Sequence, residues 1–364
     1  MTSHIHFLIV LFLLISLTLA FIPYLTRRTE NFGVSIPEPF YDRDDFKAMR
    51  KKYALTLLIV GMLLGAGLFM SVPLLRQNIM YILYTVILIS YIIASFLLYL
   101  PFHFKMKKLK EAENWQAGRK QSYVVDMKFR QEKLIYSNWW FLASLVILIA
   151  TLATTFIFYD RIPDKIPMHT DISGNVTYDD KSIGNLLFLP GTQVFMLILF
   201  IFINFVIKHS KQQVSVENPE KSKQQNLIFR RRWSAYLIWT AALTQILLMF
   251  LQLTLIFPTL LAYENAVLFS ITIIIIAATL ILALTTGQGG SRVKIEDQSN
   301  ENAIDRDDDR YWKLGQFYFN KNDPAIFIEK RFGVGWTNNW AHPASWTVIG
   351  IIILAIAIPF IFLM

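Results

Sequence analysis

The residues best suited to chemistry lie in one polar stretch, IPDKIPMHTDISGNVTYDDK, Ile162 to Lys181. His169, Asp171, Asp164, Asp179 and Asp180 are types that ligate a metal or move a proton near neutral pH. Two Ile-Pro pairs, ending at Pro163 and Pro167, favour extended backbone and stiffen the arm that carries His169. Gly174 supplies a turn. A His-x-Asp pair is weak by itself, and neither an HExxH motif nor a second nearby His supports a zinc hydrolase. The first reading is a structural loop whose polar groups fold onto a support. The second is a ligand or peptide surface built from Pro163, Asp164, Pro167, His169, Asp171, Gly174 and Lys181. A metal or catalytic site ranks last, so no catalytic residue, metal or cofactor is assigned.

Other candidate chemistry is sparser. Thr240, Thr244, Gln245 and Gln252 put polar groups into an apolar run, with Gln193 and Asn204 as candidate partners in another. Hydrogen bonding between helices is the default reading, and a polar cavity is the sharper one. Gly333-x-Gly335 lacks the third glycine and the βαβ setting of a dinucleotide fold, and is rejected as one. No P-loop, Gly-x-Ser-x-Gly or kinase signature occurs. With no cysteine, disulfides and thiolate chemistry are excluded.

The elements that position these residues are membrane spans. Of the 364 residues, 54% are hydrophobic and 17% charged, against about 25% charged in soluble domains. Eight runs reach spanning length: about 7–25, 54–75, 79–101, 139–159, 186–207, 235–257, 265–285 and 344–364. Each must be helical, because the bilayer core offers no partner for open backbone. Of the 35 Lys and Arg, 31 fall on one alternating set of inter-span segments. The positive-inside rule makes that set cytoplasmic and both termini external. The net charge of +9 is then a matter of topology and anionic lipid, and predicts no nucleic-acid partner.

Asp44 to Lys52 predicts a short interfacial helix leading into the second span, where Gly61 and Gly65 have close-packing spacing. FKMKKLKEAENWQAGRK predicts a juxtamembrane helix and QSYVVDMKF a short strand. Lys208 to Arg232 reads as flexible up to Arg230-Arg231-Arg232, and 287–309 as a linker. In Arg310 to Trp346 the runs Phe317–Phe319 and Ile326–Ile328 flank a turn at Asn320–Pro324, predicting a hairpin; a helix over Asp307–Phe319 competes with it. Trp336, Trp340 and Trp346 suit an interfacial aromatic belt.

The Ile162–Lys181 string resembles the motif of a bacterial membrane domain of unknown function found in SdpI-type toxin-immunity proteins and their relatives. The matching positions are Pro163, Asp164, Ile166, Pro167, His169, Gly174 and Lys181; Asp171 stands where that family often has Asn, and Val176-Thr177 where it has Pro-Asp. GQGGSR from Gly287 and the segment around Trp312, Gly315, Pro324, Arg331, Phe332, Gly333, Gly335, Trp336 and Asn338 resemble a second uncharacterised module seen in a subset of these proteins, and FGVSIPE near Phe32 resembles a cytoplasmic segment of the same subset. The resemblance implies immunity to a secreted peptide toxin, with signalling through sequestration of a cytoplasmic regulator.

The expected fold is an all-α integral membrane protein with eight transmembrane helices, N-out and C-out, and a small cytoplasmic aromatic module. Its expected parts are 1–136 with three spans, 137–210 with the external loop at 160–184, 211–286 as a two-span hairpin, linker 287–309, module 310–346 and last span 344–364. The expected function is non-enzymatic: peptide-toxin immunity or envelope-ligand sensing in the cell membrane. Membrane lipids, a peptide or envelope ligand and a cytoplasmic regulator are its expected partners. The alternative is a transporter or channel for a neutral or lipidic molecule.

Overall fold

The computed structural model describes residues 2–115, 132–170, 176–212, 219–295 and 309–362. Nine helices account for most of them: α1 Thr2–Leu25, α2 Asp44–Ser71, α3 Gln77–Ala112, α4 Leu142–Ile157, a single-turn α5 Ile183–Leu186, α6 Phe188–His209, α7 Pro219–Ile256, α8 Glu264–Thr286 and α9 Pro343–Phe362. Seven of these (α1 to α4 and α6 to α8) are long and apolar enough to cross a membrane. Much of their outer surface is apolar, with Leu63, Met70, Val146 and Ile198 all exposed. Water would disfavour such a surface and lipid accepts it.

Helices α3 and α7 are much longer than a bilayer requires. Their 36 and 38 residues rise roughly 55 Å, against an apolar core of about 30 Å. The basic run from Lys105 to Lys110 therefore continues α3 without a break. The segment before the triple Arg is likewise no flexible loop, since α7 begins at Pro219 and carries Glu220 to Arg232 as helix. Proline suits that first turn, where its missing N–H costs nothing. At the other end of the basic region, Asp44 and Asp45 open α2 on the favourable side of its dipole.

The helices form two groups. In the first, α1, α2 and α3 pack around Phe12, Leu57, Tyr91 and Tyr99. Gly61 and Gly65 let α1 approach: a Cβ at Gly65 would lie 2.6 Å from Leu13, and one at Gly61 would overlap the Ser16 hydroxyl. In the second, α4, α6 and α7 pack around Leu197, Phe200, Leu237 and Ala241. Helix α8 joins the groups, stacking Phe269 on Phe7 of α1 at 4.1 Å and accepting a hydrogen bond from Tyr236 of α7 at the Ile275 carbonyl, 3.2 Å.

Four antiparallel strand pairs lie at the helix ends: β1 Glu30–Asn31 with β2 Val34–Ser35, β3 Lys165–Thr170 with β4 Val176–Asp180, β5 Trp312–Lys313 with β6 Phe317–Tyr318, and β7 Phe327–Glu329 with β8 Trp336–Asn338. The runs expected to pair across Asn320–Pro324 thus take different partners. The turn itself is as its residues demand, with Asn320 and Asp323 side chains accepting from the Asn322 and Ala325 amides at 3.0 Å. Asn339 then draws β6 towards β8 instead of β7, its side chain donating to the Asn320 and Asp323 carbonyls. A helix over Asp307–Phe319 is excluded by β5 and β6. QSYVVDMKF lies outside the described residues.

Candidate functional site

In the polar stretch Ile162 to Lys181, β3 and β4 pair as a hairpin standing on the end of the second helix group. Lys165 pairs with Asp180, Ile166 with Asp179, and Pro167 with Tyr178, and the register shifts before His169 meets Thr177. Its base is apolar: Ile162 and Ile166 are buried against Leu186 and Ile256. Lys181 closes the base, donating to the Ile162 carbonyl at 3.0 Å with its ammonium 4.2 Å from the Tyr159 ring centre. Pro163, Asp164, Lys165, Pro167, Tyr178, Asp179 and Asp180 are exposed. Asp171, Gly174 and the His169 side chain lie outside the described residues. Among the described residues, no group of three His, Asp or Glu side chains converges as a metal would require.

Beneath the hairpin, Gln245 of α7 meets Gln193, one of the two expected partners, while Gln252 and Thr244 bond elsewhere. Gln193 and Gln245 each donate to the other's backbone carbonyl, at 3.1 and 2.9 Å, and Gln193 also donates to the Thr151 hydroxyl. Gln252 donates to the Thr155 hydroxyl and the Leu186 carbonyl, both 3.1 Å. Nearer the opposite face, Ser234 donates to Asn204, which donates to Asn138. Thr244 turns back to the Thr240 carbonyl of its own helix.

At that opposite face the Lys- and Arg-rich helix ends gather on residues 309–342. Three separate stretches of the resemblance converge here, and two glycine turns are the first point of contact. Phe32-Gly33 and Leu314-Gly315 all have positive φ, and a Cβ at Gly33 would lie 2.8 Å from the Gly315 Cα. Glycine is needed because both the conformation and the approach exclude a side chain. The Tyr99 hydroxyl lies 3.0 Å from both the Phe32 and Leu314 carbonyls, and His103 Nδ1 donates to Phe32 at 2.9 Å. Phe332, from the Arg331-Phe332-Gly333 loop, packs against Phe32, Tyr53 and Tyr99.

The GQGGSR segment does not run free as a linker. Gln288 is fully buried and exchanges two hydrogen bonds with the Gly335 backbone, at 2.9 and 2.7 Å. Residues 296–308 lie outside the described set. Trp336 is also drawn inward, 5.2 Å from Phe229, so Trp340 and the exposed Trp346 remain for an interfacial belt. Asn338 pairs with Phe327, while Pro324 is exposed.

Charge locks this assembly. Glu329 is fully buried, accepts from Asn226 at 2.7 Å and pairs with both Arg230 and Arg27. Arg230 also donates to the Ile207 and Ser210 carbonyls at the end of α6. Asp309 pairs with Lys110 and Arg331 and accepts from Ser35. Arg331 packs over Trp312, 5.1 Å from its ring centre. Asp323 pairs with Lys211 and accepts from Tyr318. Burial pushes the Asp323 carboxyl up, but the Lys211, Tyr318 and Ala325 hydrogen bonds outweigh it and hold it below the usual aspartate range. Breaking a buried pair of the Glu329 kind costs about 3–5 kcal/mol, because the partner's charge is left behind.

Sequence reading missed Glu329, Arg27, Arg230, Asp309 and Tyr99. The available signal was a lone acid in the apolar run IFIEKRF, a position that calls for a buried partner.

Two family models match the chain. A domain of unknown function, DUF1648, matches residues 146–194, from α4 through the hairpin into α6. It is the domain shared with SdpI-type proteins. A family of unknown function, DUF5808, matches residues 321–346, covering β7, β8 and the Gln288-bound loop. No curated protein and no solved structure matches the chain. The chain is thus similar to one domain around the hairpin and to the other within residues 309–346.

Proposed function

We propose that the protein is a non-enzymatic, multi-pass protein of the cell membrane in which the β3–β4 hairpin meets an external peptide or envelope ligand. The platform at 309–342 would then lie in the cytoplasm, bracing the bundle and offering a surface to a regulator, with α9 as an eighth span and both termini outside. One observation carries the reading. The hairpin is fixed at its base by Ile162, Ile166 and Lys181 yet exposes Pro163, Asp164, Lys165, Pro167 and Tyr178 above it. A fixed, exposed loop loses little entropy on binding. The distribution of Lys and Arg supports the orientation. Similarity to DUF1648 supports peptide-toxin immunity as the form of recognition.

The test is to substitute His169 and Pro167 separately, verify normal membrane levels, and challenge cells with membrane-active peptides. Increased sensitivity in either variant is expected; unchanged sensitivity in both removes the reading. Transport of a neutral or lipidic molecule along α7 is the alternative. The polar groups of α4, α6 and α7 favour it, and the close bonding of Gln245 and Gln252 within the bundle counts against an open path.

A further inference from the structure

The polar groups of the second helix group form one column. At the basic face stand Asn138, Asn204 and Ser234; Thr151, Gln193 and Gln245 follow; Thr155 and Gln252 end it under the hairpin. Ser144 of α4 and Thr240 of α7 fall between the first two levels, two helical turns or fewer from Thr151 and Gln245. From Ser234 to Gln252 the column rises roughly 27 Å, close to the thickness of a bilayer's apolar core. All of its members in α6 and α7, and Ser144, Thr151 and Thr155 in α4, are buried.

The column is not chemically closed. The amide nitrogens of Gln193, Gln245 and Gln252 are all used, but the three amide oxygens have no hydrogen-bond partner. Ser144 Oγ and Thr240 Oγ1 have none either. Five orphaned oxygens in one file differ from ordinary interhelical bonding, in which side chains satisfy one another. In the first helix group Ser16 meets Tyr91 at 2.6 Å and Tyr91 donates to the Leu57 carbonyl at 2.8 Å, leaving the Tyr84 hydroxyl as a lone exception in α3 and not one of a file. Turning the amides over would not help, since each nitrogen faces a backbone carbonyl that can only accept. The groups missing opposite the three amide oxygens must be donors, whereas the Ser144 and Thr240 hydroxyls can take either role. No Asp, Glu, Lys or Arg lies in 138–157, 188–207 or 233–256, so the column offers a cation no compensating charge.

We propose that the α4–α6–α7 column is a binding site for internal water, a file hydrogen-bonded to the Gln193, Gln245 and Gln252 amide oxygens and to Ser144 and Thr240. This goes beyond ligand recognition at the hairpin and does not depend on it. Each water would donate to these oxygens and accept from a neighbouring water or hydroxyl, giving the two to four contacts that buried water needs. The file ends where Gln252 binds the Leu186 carbonyl, beside the apolar seat of the hairpin.

Solid-state NMR of the full chain in lipid vesicles, 15N-labelled at Asn and Gln side chains, tests this through water-to-amide magnetisation transfer. Single Gln→Leu variants assign the three column signals, and exposed Asn322 serves as the hydrated control. The expected result is transfer to all three glutamine amides, reduced severalfold at Gln193 in a Thr240→Val, Gln245→Leu double variant. If Asn322 shows transfer in the wild type and the three glutamines show none, the column is dry and the proposal fails.

Discussion

Asp323 shows how one residue ties neighbouring segments together. Its carboxylate takes Lys211 from the end of α6 and the hydroxyl of Tyr318, while its second oxygen caps the Ala325 amide. Because its folded pKa is depressed, its stabilisation is full above the ordinary aspartate range and is lost as pH falls through the lower, folded value. Thermal unfolding followed against pH should therefore show an acid-side decline that Asp323→Asn flattens, with lower stability at neutral pH. The sequence marked Asn320–Pro324 as a turn because Asn and Asp bond their own backbone wherever they sit. It could not show that Asp323 would also hold Lys211, since a partner 112 positions away leaves no local trace. Glu329 was legible only as an oddity, an acid among apolar residues. Its two arginines come from different helix groups, Arg27 just after α1 and Arg230 within α7.

Among the elements, the spans were legible because length and apolarity alone decide them. All seven helices of spanning length fall on runs that hydropathy picks out. The basic run after the third span was expected as helix and is one, continuous with α3; what escaped was α7, which is helical from Pro219 through a Lys- and Arg-rich segment where apolarity ends but helix propensity does not. The α1–α2 contact makes a sharper claim. Gly61 leaves no space for a side chain beside Ser16, so Gly61→Leu must separate the helices or force strained rotamers. The expected loss is about 1–3 kcal/mol, read as a lower unfolding midpoint in detergent. Gly67, where a Cβ meets nothing within 4 Å, is the control and should tolerate the same change.

At the scale of the whole molecule, the two helix groups are joined at the basic face by the segment that follows them in sequence. Phe332 fills the first group, Trp336 touches the second, and Glu329 lies between arginines from each. Glu329→Ala should destabilise the protein by about 3–5 kcal/mol, since Arg230 and Arg27 keep their charge without their carboxylate. Glu329→Gln keeps an acceptor for Asn226 and should lose less. Limited proteolysis should show whether the groups come apart, with new cleavage in the segments that join α8 to its neighbours as the expected sign.

The position of Glu329 also sets a schedule for making the protein. Arg27 enters the membrane roughly 300 residues before its partner is synthesised, on the order of 15–60 s at typical rates of translation. Through that interval α1 to α8 must already be inserted, with the arginines of both groups facing water or lipid head groups in place of Glu329. The seam at the basic face stays open until Glu329 is made, and a chain that ends before residue 309 carries every helix of both groups with α8, but not the platform, to join them.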